Sequence, residues 1–358
     1  MLTDEQLAKR RTGITATDIS ALVGMNPWKS ELEVYADKCG TMPTKPQTEP
    51  MWWGNALEGA LWMRYALSIA PAYTVTEWGQ TATGAESWML ATPDASVRFA
   101  APTRTLDTQW GVELKTAWSF GHKADWEGTQ IPFPPPDPDE AYYATCAKIV
   151  KKNGDRVPIQ YMIQCQWSMA VTGLDRWDLA VLLAIGNGPE FRVYTLKRDQ
   201  ALIDMLVEGS AFCKECKGGV ICAADHCPQC GAWSWMGARA WWETYVVPVQ
   251  AGERAAHVRL PDPDGSRSAG WALASLAQPP CDELGLADEG IEQDVEVYIA
   301  SDIEVKRWET QRDRVKQRLQ KACVQAGVPG FRGEFGSFKS KPTAKGALGW
   351  YPQGLKEA

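Results

Sequence analysis

The sequence predicts an α/β (α+β) fold in which helices flank a central mixed sheet. Three observations favour this class. Residues 72–79, 86–92 and 109–115 combine β-branched and aromatic side chains and are separated by Gly- or Asp-rich breaks, as strands are. An apolar run at 179–185 and its neighbour at 191–196 predict a buried hairpin. Helical patterns precede and follow these strands, so helices and strands are expected to share one core.

The helices are predicted from apolar spacing and end signals. Residues 4–26 indicate two short helices separated by a turn, and residues 53–66 carry apolar side chains on one face. Residues 158–173 read as a buried helix that ends at a glycine, and residues 199–211 return to helix. A long helix is predicted from about 294 to 325.

Changes in composition divide the chain into four segments. We expect a core domain at 1–211, a Cys-rich insert at 212–240 and an irregular lobe or linker at 241–292, where Gly, Pro, Ala and Asp dominate. The last segment, 293–358, holds the long helix and a small basic hairpin.

Charge and composition limit the classes of function. The 358 residues carry a net charge of −7, which argues against nucleic-acid binding by the whole surface but leaves room for a locally basic groove. No apolar run reaches the roughly 20 residues of a membrane span, and the start of the chain has no signal core. We therefore expect a cytoplasmic protein with no membrane partner, and its ten cysteines to be thiols or metal ligands.

The central stretch brings acidic residues into one pattern. Asp94 follows Thr92-Pro93, and Glu113 and Lys115 flank the apolar Leu114. Alternate side chains of a strand share a face, so Glu113 and Lys115 point the same way, and Asp94 lies beside Glu113 if the two segments are neighbouring strands. Two carboxylates and an ammonium suit Mg²⁺ and a water that attacks a phosphodiester. An exposed hairpin with scattered charges is the alternative.

Two further stretches could complete such a site. Glu58 borders the apolar stripe of its helix, where it is either a solvated flank or a ligand to a metal held by the sheet. Arg10 and Arg11 precede a helix capped by Thr15 or Thr17, and that arrangement suits a phosphate. The alternative is an ordinary capped surface helix.

A cysteine cluster predicts a structural metal. Cys213-x-x-Cys216 and Cys227-Pro-Gln-Cys230 have the spacing of two zinc knuckles, with Cys222 and His226 as replacement ligands. Four thiolates would close the coordination sphere, so a structural Zn²⁺ is expected there. Free buried thiols or an iron–sulfur cluster are the alternatives.

Five blocks of sequence, taken in order, resemble a known family. They are RRTGITATD, WGNALE, TPDA, GVELK and YMIQCQWSMAVTG followed by an apolar strand. In this order they resemble the YqaJ-type viral recombinases, the lambda exonuclease branch of the PD-(D/E)xK nucleases. The resemblance implies a restriction-endonuclease-like core over roughly residues 8–212. The Cys-rich insert is not part of that core.

The resemblance also implies roles for individual residues. Asp94 and Glu113 match the metal-binding carboxylates, with the Leu114 carbonyl as a further ligand. Lys115 matches the lysine that orients the attacking water, and Glu58 matches the helix glutamate that completes the second metal site.

Three more positions carry over in the same way. Gln164 matches a family glutamine three residues after a tyrosine, here Tyr161. Thr17 stands where the family usually has a serine. A gapless match places Arg10 on the arginine that grips the 5′-phosphate, and Arg11 is the adjacent alternative.

The function implied is a 5′→3′ exonuclease that uses two Mg²⁺ (or Mn²⁺) ions per active site and leaves a 3′ single strand for recombination. Its substrate would be double-stranded DNA ends, preferably 5′-phosphorylated, in a bacterial host cell, encoded by a phage or prophage. Lambda-like members further imply a ring-shaped homotrimer and a single-strand annealing protein as partner. The alternatives are a structure-specific or restriction-like endonuclease on the same core, and a non-catalytic zinc-bearing DNA-binding protein.

Overall fold

The structure is a computed structural model that divides into two units, Met1–Gln278 and Pro279–Ala358. It describes residues 4–43, 47–100, 109–118, 126–185, 188–209, 235–255, 258, 260–277, 289–326, 328–333, 336–342 and 348–353. The predicted zinc ligands Cys213, Cys216, Cys227 and Cys230, with Cys222 and His226, lie outside the described residues.

The first unit is built on a five-stranded sheet, and the predicted central mixed sheet is confirmed. In chain order, the described residues of this unit form the strands β1 (Tyr73–Glu77), β2 (Ala82–Thr83), β3 (Leu90–Ala91), β4 (Ala95–Phe99), β5 (Trp110–Trp118), β6 (Arg176–Ile185) and β7 (Gly188–Lys197), of which β2 and β3 pair separately. The main sheet has the order β1-β4-β5-β6-β7, with β5 and β6 parallel and the other neighbours antiparallel. The predicted hairpin at 179–185 and 191–196 is confirmed as β6 and β7.

The strand predicted at 86–92 is wrong in extent. Only Leu90–Ala91 is extended, and it pairs with β2 outside the main sheet. The Leu90 N–H donates to the carbonyl of Ile14 at 3.0 Å, and Pro93 then offers no N–H to a ladder. The strand beside β5 begins two residues after this proline.

In the described part of this unit up to residue 209, the helices are α1 (Asp4–Arg11), α2 (Ala16–Leu22), α3 (Glu31–Lys38), α4 (Glu49–Ile69), α5 (Glu140–Asn153), α6 (Ile159–Thr172) and α7 (Gln200–Glu208). Of these, α4, α5 and α6 pack against the main sheet. Side chains cap their starts: Ser30, Asp139 and Asp199 each accept a backbone N–H from the first turn. Gly173 adopts the left-handed conformation that ends α6 at the predicted position.

The apolar run in β6 is buried on both faces, which explains why it lacks alternation. Leu179, Val181 and Leu183 pack in one cluster with side chains of α6, whereas Ala180 packs in another that includes Leu61 of α4. The sheet therefore forms the middle layer between helices, and the positions of β4 and β5 are fixed from both sides.

The end of the first unit adds to its core. It contains α8 (Ala238–Trp241), a π-helical turn (Trp242–Val246), α9 (Val247–Gln250) and α10 (Arg267–Leu276). Trp241 and Leu276 share a cluster with apolar residues of α2 and α3. The described part of the segment predicted as an irregular lobe is therefore largely helical. Its periodicity is weak because α10 packs mostly through small alanines.

The second unit holds α11 (Glu289–Ala326) and a three-stranded antiparallel sheet of β8 (Gly330–Gly333), β9 (Gly336–Pro342) and β10 (Leu348–Gln353). The sheet order is β10-β9-β8. The predicted long helix and terminal hairpin are both present. Among the residues that the structure describes, no helix is long and apolar enough to cross a membrane.

Candidate active site

The carboxylates at the centre of the sequence lie together because of strand register. Ala95 of β4 pairs with Val112 of β5, so Asp94, one residue before β4, is level with Glu113. The Leu114 N–H donates to Asp94 Oδ2 at 2.7 Å and ties the turn to the strand. Lys115 Nζ lies 2.5 Å from Glu113 Oε1. The predicted arrangement of neighbouring strands is confirmed.

Burial and like charge perturb this group. Burial and the nearby Glu113 charge raise the pKa of Asp94 to about 7, although Lys115 and the Leu114 N–H act in the opposite direction. Burial alone would lower the pKa of Lys115, but Glu113 and Asp94 outweigh it and leave the pKa raised. Lys115 is therefore a permanent cation, and Asp94 is a carboxyl whose negative charge lacks sufficient compensation.

These residues open into a cleft of about 530 Å³. The residues just before β4 and the middle of β5 form its floor, and the first turns of α4 form one wall, which includes Asn55 and Glu58. The side chain of Glu58 is exposed, and its charge contributes to the raised pKa of Asp94. The structure thus brings Glu58 to the same cleft as Asp94, Glu113, Leu114 and Lys115.

The opposite wall comes from α1 and the start of α2. Arg10, Thr15 and Thr17 line the cleft there, with Thr17 exposed in the first turn of α2. Arg11 does not line the cleft and instead lies 3.6 Å from a carboxylate oxygen of Asp37. The structure therefore separates the two arginines that the sequence left as alternatives.

A buried ion network supports this wall. Asp18 Oδ2 accepts from the Thr15 N–H at 2.9 Å and from the Thr15 hydroxyl at 2.7 Å, and it lies 2.7 Å from Lys38 Nζ. Lys29 Nζ lies 2.8 Å from Asp18 Oδ1. Lys38 also donates to the Arg10 carbonyl at 2.8 Å.

The charges in this network stabilise the ionised Asp18. Burial by itself raises the pKa of Asp18, but Lys29, Lys38 and Arg10 lower it well below its ordinary value. The sequence does not predict this network. The spacing Thr15-x-x-Asp18 is that of a capping box, and it is the one local pattern that indicates a role for Asp18.

Gln164 stands apart from the other predicted residues. It is buried in α6 and is not among the described residues that line the cleft. Tyr161, one turn earlier, is electrostatically coupled to Lys115 and Glu113, and burial raises the pKa of its hydroxyl. The buried Cys165, next to Gln164, also feels the charges of Glu113, Lys115 and Asp94, so α6 lies near the site on this face. The role of Gln164 remains a prediction.

The donor chemistry of the cleft suits a hard cation. Its candidate ligands are all oxygen atoms: the carboxylates of Asp94, Glu113 and Glu58 and the Leu114 carbonyl. A divalent ion would also supply the positive charge that the raised pKa of Asp94 calls for. Within the described residues, however, no three His, Cys, Asp or Glu side chains are close enough together to hold a metal. Glu113 would have to turn away from Lys115 to share a metal with Asp94.

Comparison with known proteins agrees with the resemblance drawn from the motifs. Residues 5–175 match the model of the YqaJ-like viral recombinase domain. The match covers a little under half of the 358-residue chain. The domain contains every predicted nuclease-site residue from Arg10 to Gln164, whereas the Cys-rich segment, α10 and α11 follow it.

A relative from Bacillus subtilis is similar to part of the chain. The uncharacterized protein YqaJ of Bacillus subtilis (strain 168) is 26% identical over 208 residues, which are 58% of this chain and 53% of that protein. The match thus spans about half of that relative's length.

Two solved exonucleases are similar to the chain. The crystal structure of LHK-Exo in complex with dAMP is 18% identical, with a TM-score of 0.41 over 71% of this chain and 98% of that one. A phage-related exonuclease from Haemophilus somnus 129PT is 12% identical, with a TM-score of 0.32 over 54% of this chain and 87% of that one.

Proposed function

We propose that the protein is a metal-dependent deoxyribonuclease, a 5′→3′ exonuclease of phage-type recombination that degrades one strand of duplex DNA and leaves a 3′ single strand. The observation that carries this proposal is the level placement of Asp94 and Glu113, with Lys115 on the same strand face, in an open cleft of a YqaJ-like domain.

The oxygen-rich floor is the proposed metal site. Asp94, Glu113 and the Leu114 carbonyl would hold Mg²⁺ (or Mn²⁺), and Glu58 would contribute to a second ion on the wall of the cleft. When bound, the ions supply a water of lowered pKa and compensate charge on the scissile phosphate. Gln164 is proposed to help position the nucleophile or a phosphate oxygen, as its counterpart does in the family.

Lys115 has a role of its own that follows from its charge. Its raised pKa means that it is not a general base near neutral pH. It would instead donate hydrogen bonds to the attacking water and to a phosphate oxygen once Glu113 turns to the metal. This role requires an ammonium at a defined point on β5, where the short ion pair with Glu113 now holds it.

The opposite wall is the proposed phosphate end of the site. Arg10 offers a guanidinium to the cleft, and Thr17 offers a hydroxyl in the first turn of α2. Arg11 is engaged by Asp37, so we assign the terminal 5′-phosphate to Arg10. An anchored 5′ end would place the first phosphodiester over the carboxylates and explain a preference for phosphorylated ends.

The finer parts of the proposal rest on the family resemblance. They are the polarity, the ring-shaped homotrimer, the single-strand annealing protein as partner and the cytoplasm of a bacterial host as the location. A structural Zn²⁺ on Cys213, Cys216, Cys227 and Cys230 is proposed from their spacing alone.

End-labelled DNA tests the proposed activity. A linear duplex labelled at the 5′ or the 3′ end is digested with Mg²⁺ or with EDTA, beside the same DNA as a closed circle. We expect early release of 5′ label as mononucleotide, an intact circle and no reaction in EDTA. A cut circle would replace the exonuclease with an endonuclease, and no metal-dependent cleavage would leave a DNA-binding protein.

A further inference from the structure

The two halves of the 38-residue helix α11 carry opposite charge. Residues 289–304 contain six acidic side chains and no Lys or Arg. Residues 305–326 contain seven Lys or Arg against two acids, a net charge of +5. The sign changes between Glu304 and Lys306, close to the middle of the helix.

Forces within one helix explain only part of this segregation. The helix macrodipole favours acids at the start and bases at the end, but its effect falls off within the first and last turns. Ion pairs within the helix, such as Asp302 with Lys306, need mixed charges at three- or four-residue spacing. Neither effect requires a block of one sign that continues to the middle of the helix.

The same helix also exposes large apolar side chains. Tyr298, Val305 and Trp308 are 73%, 55% and 60% exposed. One series with seven-residue spacing contains Tyr298, Val305 and Leu319, and Arg312 interrupts it. A second series, three positions later along the helix, contains Trp308, Val315 and Ala322. Seven-residue spacing in two such series is the pattern of a helix that pairs with another helix.

We propose that α11 pairs antiparallel with α11 of a second copy of this chain. Because a twofold axis through the middle of the helix would set each acidic half against a basic half, the surface is complementary to itself. Setting Val305 opposite Trp308 of the second copy also sets Tyr298 opposite Val315, so the two apolar series face each other. A parallel pair would instead oppose acid to acid and base to base.

The charge pattern also favours this occupant over DNA. A phosphate backbone would attract residues 305–326 but would be repelled by the six acids of the first half. A second copy satisfies both halves at once. At about 1.5 Å per residue the helix is ~57 Å long, which is ample for a stable pair.

Charge reversal in the full-length protein tests the proposal. One variant carries Asp294→Lys and Glu296→Lys, and a second carries Lys316→Glu and Arg318→Glu, positions that the antiparallel register brings near each other. We expect light scattering to give each variant half the mass of the wild-type assembly, whatever assembly the first unit forms. An equimolar mixture of the two variants should recover the wild-type mass.

A fourfold variant with all these changes distinguishes the two orientations. Antiparallel pairing predicts that it recovers the wild-type mass alone but does not exchange with differently tagged wild type. Exchange with wild type would indicate parallel helices and overturn the proposal. Circular dichroism and unchanged DNA cleavage check that the variants are folded. Equal masses for the wild type and both double variants would also overturn the proposal. So would a loss of DNA binding, with no change in mass, in the variant that carries Lys316→Glu and Arg318→Glu.

Discussion

Asp94 is expected to reduce the stability of the metal-free protein. Its carboxyl is partly buried beside Glu113, and the pKa is raised to about 7 from 3.8. A carboxyl with a raised pKa in the folded state favours folding only while it stays protonated. Its contribution is complete below the unfolded pKa and is lost as the pH rises through about 7. We predict that Asp94→Asn, which cannot ionise, stabilises the protein in EDTA.

The magnitude follows from the size of the shift. Each unit of pKa corresponds to about 1.4 kcal/mol, so a shift of roughly three units gives an upper limit of about 4 kcal/mol. Because the side chain is partly accessible to water, which screens its charge, we expect a gain of about 1–2 kcal/mol at pH 8.5. The gain should grow between pH 4 and pH 7 and level off above. Asn can still accept the Leu114 N–H.

Chemical denaturation in EDTA at pH 5 and pH 8.5 measures this effect. Mg²⁺ should stabilise the wild type and not the variant, since binding to the native state alone raises the free energy of unfolding. Asp178→Asn is the matched control: Asp178 is buried, accepts from the Tyr65 hydroxyl at 2.6 Å and pairs with Arg176, so its loss should destabilise. An Asp94→Asn variant less stable than wild type at pH 8.5 would refute the reasoning.

Three further predictions concern the cleft wall and the sheet. Arg10→Ala should reduce the preference for 5′-phosphorylated over 5′-hydroxyl ends, measured as single-turnover rates, by at least ~10-fold. The reason is that a hydrogen bond to a charged group is worth about 1.5–3 kcal/mol. Arg11→Ala should leave this preference unchanged. Lys38→Met should cost about 3 kcal/mol in urea denaturation, because it removes a buried cation from its ion network. Gly111→Ala should cost about 1–3 kcal/mol, because its Cβ would lie 2.3 Å from the Trp177 ring.

Each of these has its own contradicting outcome. If Arg10→Ala and Arg11→Ala lost the preference for 5′-phosphorylated ends equally, the 5′-phosphate could not be assigned to Arg10 alone. A cost under about 1 kcal/mol for Lys38→Met would mean that the network contributes little. Gly54→Ala is the control for Gly111→Ala, because a Cβ at Gly54 would lie 3.6 Å from Thr116 Oγ1, which is an ordinary van der Waals contact. Similar stability of both glycine variants would contradict the packing argument.

Much of the sheet and the floor of the site could be predicted from the sequence. The unbroken apolar run in β6 has one explanation, burial on both faces, and Gly173 marks the end of α6. Glu113 and Lys115 share a face because side chains alternate along any strand. The pairing of Asp94 with Glu113 also required a particular register between two neighbouring segments, which the sequence left as a condition.

Contacts between side chains that are far apart in the sequence could not be predicted. The contacts of Asp18 with Lys29 and Lys38 join side chains 11 and 20 positions apart, and no local pattern specifies them. The pairing of Arg11 with Asp37 is of the same kind. In α10, Ala269 and Ala272 are buried against the N-terminal helices, but alanine signals a core face weakly.

The claim that the cleft is the site of DNA cleavage is tested most directly by Lys115→Ala. Its single-turnover cleavage of a 5′-phosphorylated duplex in Mg²⁺ is compared with that of the wild type, and DNA binding is measured on the same substrate with Ca²⁺ in place of Mg²⁺. We predict a rate reduced by at least ~10²-fold with binding within about threefold, because the ammonium acts on the reacting phosphate. Near-normal cleavage by this variant would contradict the assignment of the site.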